Sequence, residues 1–165
     1  MALTKLGTFE ANTVGDLPAI GSSAIDFKLT TTEFKTVSLR DFAGKTIVLN
    51  IFPSVDTSTC SASVREFNKR ATALDNTVVL CISKDLPFAQ KRFCGAEGID
   101  RAITLSDYRN RGFGKNYGVE LIDSGFVSLF ARVVIVIDPA GVIKYTQLVP
   151  QIGQEPDYDS VIQAI

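Results

Sequence analysis

The chain has 165 residues, the size of one domain and long enough to bury a substantial apolar core. Its 17 basic and 18 acidic residues nearly cancel, which leaves no electrostatic footprint for nucleic acid or for an anionic membrane surface. Histidine is absent, which excludes Ser-His-Asp triads, Cys-His dyads and most zinc enzymes, and three cysteines are too few for a four-thiolate zinc site.

Residues 5–14 alternate short apolar positions around Glu10-Ala11-Asn12 and suit a small β-hairpin, so residues 1–25 read as an extension ahead of the main fold. Gly15-Asp16-Leu17-Pro18 and Gly21-Ser22-Ser23 break the chain before strand-like pieces at 26–29 and 36–39, and 40–45 is a turn-rich link. Residues 46–52 form a near-continuous apolar run, the pattern of a central strand buried on both faces. Over 61–74, Val64, Phe67, Ala71 and Leu74 make one apolar helical stripe, with Arg65, Glu66, Lys69 and Arg70 elsewhere. Asp75-Asn76 turns the chain into a second buried strand at 77–83. Lys84-Asp85-Leu86-Pro87 opens another helix with proline in its first turn, and Cys94 is expected at that helix's end, just before Gly95. A short strand at 103–105, a helix at 108–117 and a third central strand at 132–137 follow. Pro139-Ala140-Gly141 makes a hairpin turn into 142–149, and 157–165 is a terminal helix. Strands alternating with helices and closed by one antiparallel segment indicate a single α/β layered domain over 1–165, a thioredoxin-like core with an N-terminal β-hairpin extension.

Chemistry concentrates at Cys60. It follows the strand at 46–52 directly and sits at a helix start, where unpaired backbone N–H groups and the positive end of the helix dipole favour a thiolate, the nucleophilic form of sulfur. Thr57 and Cys60 occupy the first and last positions of a capping box, with sulfur in the usual carboxylate place. The Thr57 hydroxyl is therefore free to accept from a backbone N–H, to donate to the thiolate or to touch a substrate oxygen. Pro53 has no N–H and a fixed φ, which suits the wall of a dry pocket.

Pro53, Thr57 and Cys60 reproduce the Pro-x-x-x-Thr-x-x-Cys pattern, and with them the sequence resembles the peroxiredoxins, specifically the thiol peroxidase branch of the atypical two-cysteine group. The similarity extends over 49–56, 75–83, 85–98, Ala131-Arg132 and Glu155-Pro156-Asp157-Tyr158, most of the chain. The resemblance implies a peroxidatic role for Cys60, which attacks a hydroperoxide and becomes a sulfenic acid. It implies that Thr57 and Arg132 orient the peroxide and that Pro53 shields the site. It implies that Cys94 is the resolving cysteine of an intrachain Cys60–Cys94 disulfide, which thioredoxin then reduces, and that the protein is a homodimer using neither metal nor organic cofactor. Displacement at oxygen needs an anionic nucleophile, a donor near the leaving group and a water-poor pocket, and these roles supply all three.

Several residues carry plainer readings. Cys81 lies mid-strand and belongs to the core. Without the resemblance, Cys94 is equally a helix-end core thiol and Arg132 is better read as a solvated strand-end charge. Lys84, Lys91 and Arg92 read as a solvated helix face. Phe88, Phe93, Phe113, Tyr117 and Phe126 read as core or dimer interface, a part of which could line an apolar entrance favouring alkyl hydroperoxides. A thioredoxin-like disulfide oxidoreductase needs two cysteines one helical turn apart, whereas positions 57 and 63 hold Thr57 and Ser63. A redox sensor using the same disulfide and a binding module with an incidental cysteine are the remaining alternatives. The sequence contains neither a signal-like start nor an apolar run of membrane-spanning length, and the expected location is the cytoplasm.

Overall fold

The computed structural model describes residues 1–165. A two-stranded hairpin, β1 (Leu3–Leu6) with β2 (Phe9–Asn12), precedes a seven-stranded sheet. The sheet comprises β3 (Lys28–Thr31), β4 (Thr36–Ser38), β5 (Thr46–Ile51), β6 (Thr77–Ser83), β7 (Ile103–Ser106), β8 (Val133–Ile137) and β9 (Ile143–Leu148), in the order β4-β3-β7-β6-β5-β8-β9. Its centre, β7-β6-β5, is parallel; β3 and β4 on one flank and β8 and β9 on the other are antiparallel to their neighbours. The architecture is the expected mixed α/β, thioredoxin-like sheet with an N-terminal hairpin, except that antiparallel pairing closes both flanks rather than one.

Alternation along the central strands divides the core. Ile47, Leu49 and Ile51 of β5 join Leu80, Ile82, Val133 and Ile135 on one face, packed against Phe113, Tyr117 and Phe130. Val48 joins Val79, Cys81, Val134 and Val136 on the other. That second face is covered by α1 (Ser58–Ala71) through Cys60, Val64, Phe67 and Ala71, by α2 (Pro87–Glu97) through Phe93, and by the terminal helix through Val161. Of the aromatic set, only Phe93 shares the cluster that contains Cys60; Phe113 and Tyr117 lie across the sheet.

Two local expectations are corrected. The helix bearing Cys94 does not stop at Gly95 but continues to Glu97, and the left-handed residue that ends it is Gly98, at φ 65°. Gly95 sits inside the helix with nothing within 4 Å of where a Cβ would stand, so no packing contact demands glycine there. The expected helix at 108–117 is reduced to one turn, α3 (Phe113–Asn116), because Arg111 adopts φ 58° and turns the chain before Gly112. By contrast, α1 begins at Ser58 behind its N-cap Thr57, so Cys60 lies within the first turn, as the capping-box spacing predicts.

Strand register brings the chemistry to one edge. In β5, Ile51 pairs with Ile82 of β6 and with Val133 of β8, so the residues just beyond β5 and β6 and just before β8 converge there. They are the turn leading to Cys60, the segment leading to α2, and Arg132.

Candidate active site

β5 is held on both sides, and Phe52 N–H donates to the Ile82 carbonyl at 3.2 Å, so the chain leaves the sheet at Pro53, which is buried. A turn follows in which Thr57 N–H and Thr57 Oγ1–H both donate to the Ser54 carbonyl, at 3.2 and 3.3 Å. Thr57 is the N-cap of α1, and its Oγ1 accepts from the Cys60 N–H at 3.2 Å. Of the roles open to that hydroxyl, the fold uses acceptance from the backbone.

Cys60 is fully buried. Its carbonyl accepts from Ser63 Oγ at 2.7 Å, and Ser63 Oγ in turn accepts from Asn50 Nδ2 at 3.2 Å, which anchors the first turn of α1 to the sheet below. Arg132 reaches the sulfur from β8's side: its Nη2 donates to Cys60 Sγ at 3.2 Å and its Nε to the Ile152 carbonyl at 2.7 Å. Only 1% of Arg132 is exposed, so the reading as a solvated strand-end charge is wrong. The segment after β9 supplies the cover. Ile152 is itself buried, and Thr59 Oγ1 donates to the Gly153 carbonyl at 3.0 Å, closing that segment onto α1.

A buried guanidinium needs a counter-charge, and Arg132 has no carboxylate partner. Among its bonded neighbours only the Cys60 sulfur can carry one. Arg132 Nη1 is buried with no partner, a spare N–H donor beside the thiol. This arrangement can hold an anionic nucleophile and offer a hydrogen bond to an oxygen that approaches it.

Cys94 lies on α2, half-buried, and packs against the cluster that contains Cys60. All three cysteines are free thiols, so Cys60 and Cys94 are not bonded to each other. Cys94 Sγ is 3.5 Å from Thr104 Oγ1 on β7. Burial raises its pKa, the Thr104 hydrogen bond opposing, so it is a protonated thiol at neutral pH. Cys81 is fully buried, and desolvation pushes its pKa up to about 12, as suits a core thiol. Lys84 is not part of a solvated helix face; it forms a half-buried ion pair with Glu120 at 2.9 Å.

Sequence reasoning missed Asp85, read only as part of a helix opening. Its carboxylate takes Ser54 Oγ at 2.7 Å and Val55 N–H at 2.9 Å, and so touches the turn that places Thr57. The partners are 31 and 30 residues away, which no local pattern signals.

The redoxin family profile matches residues 19–162. A thiol peroxidase of Corynebacterium glutamicum is 50% identical over 165 residues, spanning 100% of this chain and 99% of that protein. The chain belongs to the thiol peroxidase family. A thiol peroxidase of Mycobacterium tuberculosis is 51% identical over 165 residues, with 100% of this chain and 99% of that protein covered. The crystal structure of a peroxiredoxin-like protein from Aquifex aeolicus matches with a TM-score of 0.92 at 31% identity, covering 99% of this chain and 95% of that one. The chain is thus a peroxiredoxin-type thiol peroxidase, a thiol-dependent enzyme, as its resemblance implied.

Proposed function

We propose that this thiol peroxidase reduces hydrogen peroxide and organic hydroperoxides to water and alcohols, with Cys60 as peroxidatic and Cys94 as resolving cysteine. The observation that carries the reading is the buried contact of Arg132 Nη2 with Cys60 Sγ at 3.2 Å, a charge-assisted pair with no competing carboxylate.

In the first step the Cys60 thiolate attacks the terminal oxygen of the hydroperoxide. The S–O bond forms as the O–O bond breaks, and the departing oxygen takes a proton and leaves as alcohol or water. Arg132 holds the thiolate through Nη2, and its unpartnered Nη1 donates to the peroxide as negative charge develops on the leaving oxygen. Thr57 fixes the Cys60 backbone, and buried Pro53 keeps water from the turn. In the second step the Cys94 sulfur attacks the sulfenic sulfur, the S–S bond forms, and the hydroxyl of the sulfenic acid leaves with the Cys94 proton as water. A dithiol, thioredoxin, then returns two electrons and two protons to the disulfide.

The cycle suits a reducing compartment, the cytoplasm, and no helix is long and apolar enough to cross a membrane. A homodimer accords with the exposed apolar surface made by Leu86 and by Phe34 and Phe88, whose rings pack 4.9 Å apart.

The test is steady-state turnover of cumene hydroperoxide with thioredoxin, its reductase and the full chain. The reading requires turnover that Cys60→Ser abolishes and a Cys60 sulfenic acid that a dimedone-type reagent traps in Cys94→Ser. Turnover unaffected by Cys60→Ser contradicts it.

A further inference from the structure

Asp85 lies between β6 and α2, two residues ahead of the helix that carries Cys94. Its carboxylate accepts three hydrogen bonds: Ser54 Oγ on Oδ1 at 2.7 Å, and Val55 N–H and Ser83 Oγ on Oδ2 at 2.9 and 2.6 Å. Ser83 Oγ also accepts from Asp85 N–H at 3.3 Å and from Gln90 Nε2 of α2 at 3.3 Å, and Gln90 Nε2 donates to the Leu105 carbonyl at 2.9 Å. The backbone at Asp85 is thus fixed to the sheet and to the first turn of α2. Its side chain reaches across to the turn before α1.

What that turn does depends on Ser54. The Ser54 carbonyl takes both the N–H and the hydroxyl of Thr57, and Thr57 Oγ1 then accepts from Cys60 N–H. The chain of contacts runs from Asp85 through Ser54 and Thr57 to Cys60. Val55, whose N–H is the second tie, is buried in the same cluster as Cys60 and Phe93 of α2. Beyond Asp85, the one polar tie from α2 to this turn is the surface pair of Arg92 with Asp56 at 3.2 Å, where both side chains are more than two-thirds exposed. Such a pair contributes little, whereas three donors on one half-buried carboxylate contribute much more.

We infer that Asp85 is a positioning residue that locks the Cys60 turn to the start of the Cys94 helix, setting the peroxide-reactive geometry and restraining the local unfolding that lets the two sulfurs meet. The inference rests on the assignment of Cys60 and Cys94 as peroxidatic and resolving residues. Both thiols are free in the folded state, and they face different parts of the sheet: Cys94 Sγ lies against Thr104 of β7 and Cys60 Sγ against Arg132 just ahead of β8, with β6 and β5 between those strands, so disulfide closure requires the first turn of α1, α2 or both to leave their places. The Asp85 ties join those two elements. The same carboxylate therefore favours the first half-reaction and opposes the second.

A scaffold residue would slow both steps or neither; a lock moves them in opposite directions. The test is single-turnover oxidation of the reduced chain by hydrogen peroxide, quenched at successive times and read by mass, because the chain has no tryptophan to report the steps optically. Cys60 oxidation, disulfide closure and sulfinic acid yield are each followed. Asp85→Asn removes the charge and turns one acceptor oxygen into a donor, so the ties to Ser54, Val55 and Ser83 lose their charge assistance and the Ser54 contact survives only as a neutral hydrogen bond with its direction reversed. It is expected to slow Cys60 oxidation by about tenfold, the factor matching one lost hydrogen bond to a charged group, to speed disulfide closure, and to lower the sulfinic acid formed at a fixed peroxide concentration. Ser54→Ala, which removes one donor and keeps the carboxylate, shifts all three in the same directions by a smaller factor, and it decides the matter if Asp85→Asn does not fold. Unchanged rates, or oxidation and closure slowed together, overturn the inference. A wild-type chain that reacts no faster than a free thiol overturns instead the peroxidase assignment on which it rests.

Discussion

Arg132 is buried between one carbonyl and one sulfur, and its replacement separates charge from geometry. Lysine keeps the charge but, as a point donor, cannot reach Ile152 and Cys60 together as the planar fork does. Arg132→Lys is expected to lower the second-order rate constant of Cys60 with peroxide by about a hundredfold, the scale of losing one preorganised donor, with the alkaline profile of Cys94 alkylation unchanged. Thr57 acts through the backbone: Thr57→Val should cost about 1 kcal/mol in urea denaturation, the usual worth of an N-cap, while Thr57→Ser should restore it. At Cys94 burial raises the thiol pKa, so in a Cys60→Ser background its alkylation should rise with pH along a curve displaced above that of free cysteine. A curve displaced below it would contradict the assignment. Cys60, Thr57 and Pro53 are legible in sequence because one turn carries all three. The burial of Arg132 is not, since it depends on residues 149–157 folding over it from the far side of β9.

Among the elements, β5, β6 and β8 announce themselves as unbroken apolar runs because both faces of each are covered. The end of α2 does not. Gly95 and Gly98 are equivalent as letters, and only the positive φ at Gly98 shows which one stops the helix. The cap matters for the proposed cycle, because the N–H groups of Gly98 and Ile99 both donate to the carbonyl of Cys94 itself. Unwinding the last turn of α2 releases Cys94, the proposed resolving residue. Gly98→Ala places a Cβ in the left-handed region at a cost of about 1 kcal/mol, and should increase amide exchange at Gly98 and Ile99 while leaving β6 protected. Equal exchange in the two proteins would show that the cap does not hold Cys94 in place. The failure at 108–117 has a similar cause, for Tyr108, Phe113 and Tyr117 suggest a helix that Arg111, at φ 58°, interrupts.

Across the whole molecule, the reactive edge is where parallel β5 and β6 end and antiparallel β8 begins, and both faces of the sheet support it. Stability is not maximised throughout. Asp107, just past β7, is 1% exposed, and burial raises its pKa against the opposing influence of the Phe113, Gly114 and Arg111 amides and of Lys84. No donor meets its oxygens with good geometry. A carboxyl whose folded value exceeds its unfolded one stabilises fully below the unfolded value, about 3.9, and loses that contribution as pH rises through the folded value. The urea midpoint of the native chain relative to that of Asp107→Asn, which has no such titration, should therefore fall as pH rises through this window; parallel profiles would contradict the cause. The central claim is that the Arg132-paired thiol at this edge is built for peroxide. It is tested most directly by mixing fully reduced protein with one equivalent of cumene hydroperoxide in a rapid-quench apparatus and mapping the products by mass. Oxidation orders of magnitude faster than a free thiol, ending in a Cys60–Cys94 disulfide, is the predicted result, and oxidation at the free-thiol rate, or a linkage that omits Cys60, would contradict it.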